Sequence, residues 1–298
     1  MQALWMLLGA FLFSTMAVCV KFASEWFNSA ELVFYRGLIG MLIIWLLARA
    51  RRVPLRTAYP AMHAWRSLVG VISLGAWFYA IAWLPLATAL TLNYMSSVWV
   101  AAFLVGGALL SWNPRAGGPP PVQGPMVLTV LAGFAGVVMM LRPTIEQNQV
   151  FAGAIGLLSG LTAAFAYMQV MALGRIGEPE LRTVFYFAVG SAVAGAAATA
   201  VTGLSAWHWQ HALWLLPVGV LAALGQLCMT RAYSHGATLV VANLQYSGIA
   251  FGALYSVLLF GDRIPLLGWA GMALILASGI AATVLRSRAA PDAPAEEH

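Results

Sequence analysis

The sequence predicts an all-α integral membrane protein of ten transmembrane helices, built as two inverted five-helix repeats. Three observations predict this. Only 8% of the 298 residues are charged and 62% are hydrophobic, whereas a soluble domain carries about 25% charged residues; so few charges cannot cover a particle of this size in water. Ten apolar runs of about the length needed to cross a bilayer follow one another along the chain. Lastly, the chain matches itself without a gap when residues 75–98 are laid on 225–248.

The predicted spans are 3–23, 32–49, 66–84, 87–110, 125–142, 151–174, 183–203, 213–232, 237–260 and 265–285. Lipid offers no hydrogen bonds to the backbone, so each run must close its own bonds as a helix. The first span has no basic leader and no small-residue cleavage pattern; Val18 precedes Cys19 and the apolar run continues to Lys21. It reads as a membrane helix rather than a signal peptide. Turn chemistry marks the breaks: Pro54 and Pro60, Leu84-Pro85-Leu86, the Pro/Gly-rich 113–121, Arg142-Pro143, Gly177-Glu178-Pro179, Ser234-His235-Gly236 and Gly261-Asp262. Residues 289–298, rich in Ala, Pro and Glu, read as a disordered cytoplasmic tail. Many of the 12 Trp fall near span ends, as in Trp26, Trp83, Trp112, Trp207 and Trp269, where amphipathic rings suit the headgroup layer.

Orientation follows from the basic residues. Arg49, Arg51, Arg52, Arg56, Arg66, Arg115, Arg175, Arg182, Arg231, Arg286 and Arg288 fall in even-numbered connectors or the tail. Only Lys21, Arg142 and Arg263 fall toward the other side, eleven against three. Both termini are therefore expected in the cytoplasm, in the cell (inner or plasma) membrane. The net charge of +6 is topology information, and no nucleic acid is expected as a partner because the arginines do not gather on one face. Cys19 and Cys228 lie in apolar runs and offer neither a disulfide framework nor metal-ligand spacing.

The self-match pairs Gly75 with Gly225, Ala82 with Ala232, Ala87-Thr88 with Ala237-Thr238, Asn93 with Asn243 and Ser97 with Ser247. Phe34-Tyr35 recurs as Phe185-Tyr186. The repeats are residues 1–142 and 151–288. Each holds five spans, an odd number, so the second enters the membrane inverted; a solute site near the midplane between the halves is the expectation for such a repeat.

The chain resembles the EamA-type family of the drug/metabolite transporter superfamily over nearly its whole length. The matching pieces are Lys21; Phe34-Tyr35-Arg36; Trp77-Phe78-Tyr79-Ala80 running into Leu84-Pro85-Leu86-Ala87-Thr88-Ala89; Gly225-Gln226; Arg231-Ala232-Tyr233; Gly236-Ala237; and Phe260-Gly261-Asp262. The resemblance implies ten helices, a central cavity lined mainly by spans 1, 3, 4, 6, 8 and 9, and movement of metabolites or amphipathic compounds, often outward. The chain departs from the family by lacking an acidic residue after span 4, where Gly106-Gly107 and Trp112 stand.

Candidate solute contacts are the polar groups that lipid disfavours. Asn93 and Ser97 share one face of span 4, and Asn243 and Ser247 one face of span 9; they serve either a solute or helix–helix hydrogen bonding. Gln245 and Tyr246 flank that stripe, and Gln226 places an amide in span 8. Lys21 and Arg36 bring charge toward membrane depth, where it marks function unless the side chains snorkel to the interface and pair with Glu25 or Glu31. Trp77, Tyr79, Tyr94, Trp99 and Tyr167 suit a cavity for flat solutes, or alternatively packing and the interfacial belt. The glycine pairs 156/160 and 248/252 and the small stripe Gly190, Ser191, Ala194, Ala198 fit close packing within the chain, with a homodimer as the other use.

No Asp or Glu sits mid-span, and no P-loop, dinucleotide fingerprint or His-Glu-x-x-His motif occurs, so no cofactor or metal is expected and the chain is not read as an enzyme. The expected function is secondary transport, by alternating access, of small metabolites such as amino acids or amphipathic and aromatic compounds, as an exporter or exchanger. A passive channel is the alternative, and a polytopic membrane enzyme a more remote one.

Overall fold

In a computed structural model, the described residues are 2–96, 98, 99, 102, 103, 106, 124–141, 147–235 and 244–289. They form helices α1 (Gln2–Ala23), α2 (Ser29–Ala50), α3 (Pro60–Trp83), α4 (Leu86–Tyr94), α5 (Gly124–Leu141), α6 (Gln147–Arg175), α7 (Glu180–Thr202), α8 (Trp209–Ala212), α9 (Leu215–His235), α10 (Ser247–Phe260) and α11 (Leu266–Ala289). Among the described residues there is no strand. Six helical stretches are long and apolar enough to cross a membrane: Leu4–Ala23, Ser29–Ala50, Pro60–Trp83, Gln149–Arg175, Glu180–Thr202 and Trp209–Tyr233. Val127–Met139, Ser247–Phe260 and Leu266–Ala281 are shorter apolar helices. The chain is a multi-pass membrane protein.

Local chemistry sets the helix ends. Asn28 opens α2 with a capping box: Glu31 N–H donates to Asn28 Oδ1 at 3.0 Å, and Asn28 N–H donates to Glu31 Oε2 at 2.9 Å. Such a box satisfies backbone donors that the first helical turn leaves unpaired. Pro60 sits at the start of α3, where its missing N–H costs nothing. Gly261, at φ 65°, ends α10 in the left-handed conformation, and both its N–H and that of Asp262 turn back to the Ser256 carbonyl.

The start of α3 corrects one expectation. Arg66 was expected in a cytoplasmic connector, at the edge of a span beginning at residue 66. The helix instead begins at Pro60, so Arg66 lies more than a turn inside it and only 3% exposed. Span 4 is described as continuous helix from Leu86 to Tyr94, and span 9 from Ser247. Ser97, Asn243 and the stretch 107–123 lie outside the described residues, as does the tail from residue 290.

Burial is inverted relative to a soluble protein. Leu42, Leu68, Leu131, Phe151, Val193 and Leu258 are exposed, while Arg36, Arg66, Thr91, Asn93, Gln226 and Gln245 are buried. Apolar side chains face the lipid, and polar groups gather inside the bundle.

The helices pack in antiparallel pairs that join the two halves of the sequence. On α2 and α7, Gly37 meets Ala192, Gly40 meets Ala188 and Phe34 meets Gly195, so rising numbers on one helix meet falling numbers on the other. A Cβ added to Gly195 would stand 2.6 Å from Phe34 Cα; only glycine permits that approach. The same reversal relates α1 to α9 (Gly9 with Cys228, Phe13 with Gly225), α4 to α10 (Leu90 with Gly252, Tyr94 with Gly248) and α5 to α11 (Gly133 with Ser278, Gly136 with Gly271). On α3 and α6, Ser73 donates to the Ser159 carbonyl at 2.8 Å, while Ala80 meets Gly156. The small residues at 156, 160, 248 and 252 thus serve contacts inside this chain.

Candidate functional site

Antiparallel pairing of α2 with α7 and of α3 with α6 places the inward faces of α1, α2, α3, α4, α6, α7 and α9 around one cavity. The cavity encloses about 620 Å³ of empty space, counting the part open to solvent. Its walls are apolar with a few polar groups set among them, the composition expected of a small-molecule site.

Two cations define its chemistry. Arg36 (α2) and Arg66 (α3) both line the cavity, at 5% and 3% exposure. Their guanidinium carbons stand 4.8 and 4.0 Å from the centroid of the Phe187 ring on α7, where the ring's electron-rich face attracts positive charge. Gly70 makes room for this arrangement, because a Cβ there would overlap Arg66 Nη1 and stand 2.8 Å from the Phe187 ring. Arg36 Nη1 donates to Ser191 Oγ at 3.3 Å. Arg36 Nε and Arg66 Nε and Nη1 are buried donors with no hydrogen-bond partner. The two ion pairs among the described residues both use Glu178, at one end of the bundle, so neither cavity arginine has a carboxylate partner. A buried charge without a counter-charge is costly.

Amides and aromatic rings complete the walls. Asn93 lines the cavity and donates through Nδ2 to Ser159 Oγ at 3.2 Å; Ser159 Oγ in turn donates to the Gly156 carbonyl at 2.7 Å. Gln226 lines it with an unpartnered Nε2, and Gln245 with Oε1 accepting a short hydrogen bond from the Tyr233 hydroxyl. Trp77, Tyr94 and Tyr167 supply the rings, the last stacked on Tyr233 at 5.9 Å.

The remaining candidates sit elsewhere. Lys21 makes no ion pair with Glu25 or Glu31: its Nζ donates to the Ile81 and Leu84 carbonyls, at 3.0 and 2.6 Å. It thereby caps the C-terminal end of α3, the end that favours a cation. Glu31 is engaged by Asn28 and by the N–H and hydroxyl of Ser205. Tyr79 packs on Trp83 and Phe151 outside the cavity, and Trp99 against Phe103 and Phe134. Ser247 Oγ donates to the Leu244 carbonyl of its own turn, at 2.7 Å. Tyr246 is buried against Gly279. Sequence reasoning passed over Arg66, Ser73 and Phe187, all of which line the cavity; for Arg66 the signal was Pro60, six residues ahead, marking an earlier helix start.

One end of the bundle is tied. Glu178, in the α6–α7 turn, accepts from Thr57 Oγ1 at 2.6 Å, His63 Nε2 at 2.8 Å and Arg182 Nη1 at 2.9 Å. Burial opposes ionisation of this carboxyl, but the hydrogen bonds from Thr57, His63 and Arg182 outweigh it and hold its pKa below the ordinary value. Arg182 also donates twice to the Pro54 carbonyl.

No family model matches the chain. It is 34% identical over 275 residues to the pseudopaline exporter CntI of Pseudomonas aeruginosa, covering 92% of this chain and 93% of that protein. It is 26% identical over 283 residues to an uncharacterized transporter of Helicobacter pylori, at 92% and 91% coverage. It is also 27% identical over 281 residues to a riboflavin transporter of Rhizobium johnstonii, at 93% and 89%. These relatives are named as transporters, not enzymes. A solved crystal structure superposes with a TM-score of 0.67 over 96% of this chain and 98% of its own, at 19% identity, a likeness of fold alone.

Proposed function

The chain belongs to the transporter family of the pseudopaline exporter, and from that premise we propose that it is a secondary transporter of small metabolites, working as an exporter or exchanger by alternating access. Residues 1–142 and 151–288 form the two inverted repeats, of the EamA type within the drug/metabolite transporter superfamily, with ten membrane crossings and both termini in the cytoplasm of the cell. One observation carries this reading. The cavity is lined from both halves at once, by Arg36, Arg66 and Asn93 from the first and by Tyr167, Gln226 and Gln245 from the second. A solute held there touches both moving bodies.

Further support comes from the pattern of packing. Exchange of the two halves, span by span, turns the contact of α1 with α9 into that of α6 with α3, and leaves α2–α7, α4–α10 and α5–α11 unchanged. Asn93, Trp77 and Tyr94 act as solute contacts in this reading, along with Arg36, Tyr167, Gln226 and Gln245. Tyr79, Tyr246 and Lys21 support the frame around these contacts, and Ser247 closes its own turn.

The test is a solute panel in proteoliposomes: amino acids, flavins and aromatic acids followed by labelled uptake. Saturable uptake of at least one class, accelerated by unlabelled solute inside the vesicle, is the expected result. Flux that rises linearly with concentration and shows no counterflow makes the protein a channel instead.

A further inference from the structure

Among the described residues, the cavity holds two buried guanidiniums and no counter-charge. Three of their N–H-bearing atoms, Arg36 Nε and Arg66 Nε and Nη1, have no partner, and neither does Gln226 Nε2 across the same space. Phe187 steadies both cations by its ring face but cannot satisfy a single N–H. Trp77 and Tyr94 form apolar walls close by.

We infer that Arg36 and Arg66 receive the carboxylate of an amphipathic organic anion, with Gln226 donating to a further oxygen and the aromatic walls covering the anion's apolar body. This deepens the transporter reading of the same cavity and rests on it. A carboxylate fits because a guanidinium presents planar N–H pairs that match its two oxygens, and a charge-assisted bond of this kind is about twice as strong as a neutral one. A cationic solute is opposed by both arginines. An anionic cargo then offsets charge that no described side chain in the cavity offsets. That couples loading of the cavity to the chemistry of the cargo.

The experiment uses the full-length protein in detergent, with intrinsic tryptophan fluorescence as the binding signal. The probes are 3-phenylpropionate, N-acetylphenylalanine and glutarate, each beside its neutral amide, together with 2-phenylethyl phosphate. At least one acid is expected to bind tenfold or more tightly than its amide, with Arg36→Gln and Arg66→Gln each erasing that preference. If either variant fails to fold, the acid-to-amide ratio of the unaltered protein decides alone. Equal binding of acid and amide in all three pairs, or no binding of any acid, overturns the inference, and so does tenfold tighter binding of the phosphate. The same solutes are followed by counterflow in liposomes. Saturable counterflow of neutral or cationic solutes without acid binding overturns the anion site while leaving the transporter reading in place. Acid binding without counterflow of any solute supports the site and removes the transporter reading.

Discussion

His63 Nε2 lies 2.8 Å from Glu178 Oε1, with both side chains buried, and this bond ties the start of α3 to the α6–α7 turn. Because the folded Glu178 carboxyl has its pKa held below the ordinary value, the latch contributes fully above the usual carboxylate range and is lost as pH falls through the folded value. Thermal unfolding in detergent between pH 7 and pH 3 checks this. Glu178→Gln is expected to lower stability by about 2 kcal/mol at pH 7, since it strips the charge from three hydrogen bonds. The difference between variant and parent should shrink toward pH 3. A constant difference across that range contradicts the assignment.

Close packing of α2 on α7 gives a second prediction. Gly195→Leu drives its side chain into the backbone of Phe34, already 2.6 Å from where a Cβ would stand. The expected loss is at least about 2 kcal/mol, the upper part of the range for overpacking. Gly75, with open space around its Cβ position, should accept alanine with no loss and so serves as the control.

Lys21 is a cap on α3 rather than a solute contact in this structure. Lys21→Met leaves the Ile81 and Leu84 carbonyls without their charged donor and is expected to cost about 2 kcal/mol. If Lys21 instead serves only the solute, its replacement lowers transport and leaves the melting temperature where it was.

Asn93 separates packing from binding. Its bond to Ser159 is of the kind worth about 0.6 kcal/mol between membrane helices. Ser159→Ala should therefore cost that little and spare most transport. Asn93→Ala should cost the same in stability but raise the half-saturation concentration about tenfold. Equal transport in both variants removes Asn93 from the solute site.

Much of the architecture could be read from the chain, because lipid imposes a simple rule on apolar runs. The helices α1, α2, α5, α6 and α7 match their expected spans to about a turn. The errors came where hydropathy and helix chemistry disagree. Apolar length begins the third span at Arg66, yet Pro60 starts the helix and the arginine goes inside. Hydropathy alone assigns an arginine to the water; only the packing against Phe187 and Gly70 shows where it finds room. Tyr79 and Tyr94 show a related limit. Both are aromatic residues in apolar runs, and which one faces the cavity depends on helix rotation, set by tertiary contacts that no single residue type announces.

Alternating access requires the two halves to move relative to each other around the cavity, and the Thr57–Glu178 contact is where that motion can be stopped. In a protein whose Cys19 and Cys228 are replaced by alanine, Thr57→Cys with Glu178→Cys places two thiols across this contact between the halves, within reach of a short bifunctional thiol reagent. Counterflow in liposomes is then measured before cross-linking, after it, and again after cleavage of a reducible linker. Loss of counterflow on cross-linking, with recovery on reduction, is the predicted result. Full counterflow through the cross-linked protein would contradict alternating access outright.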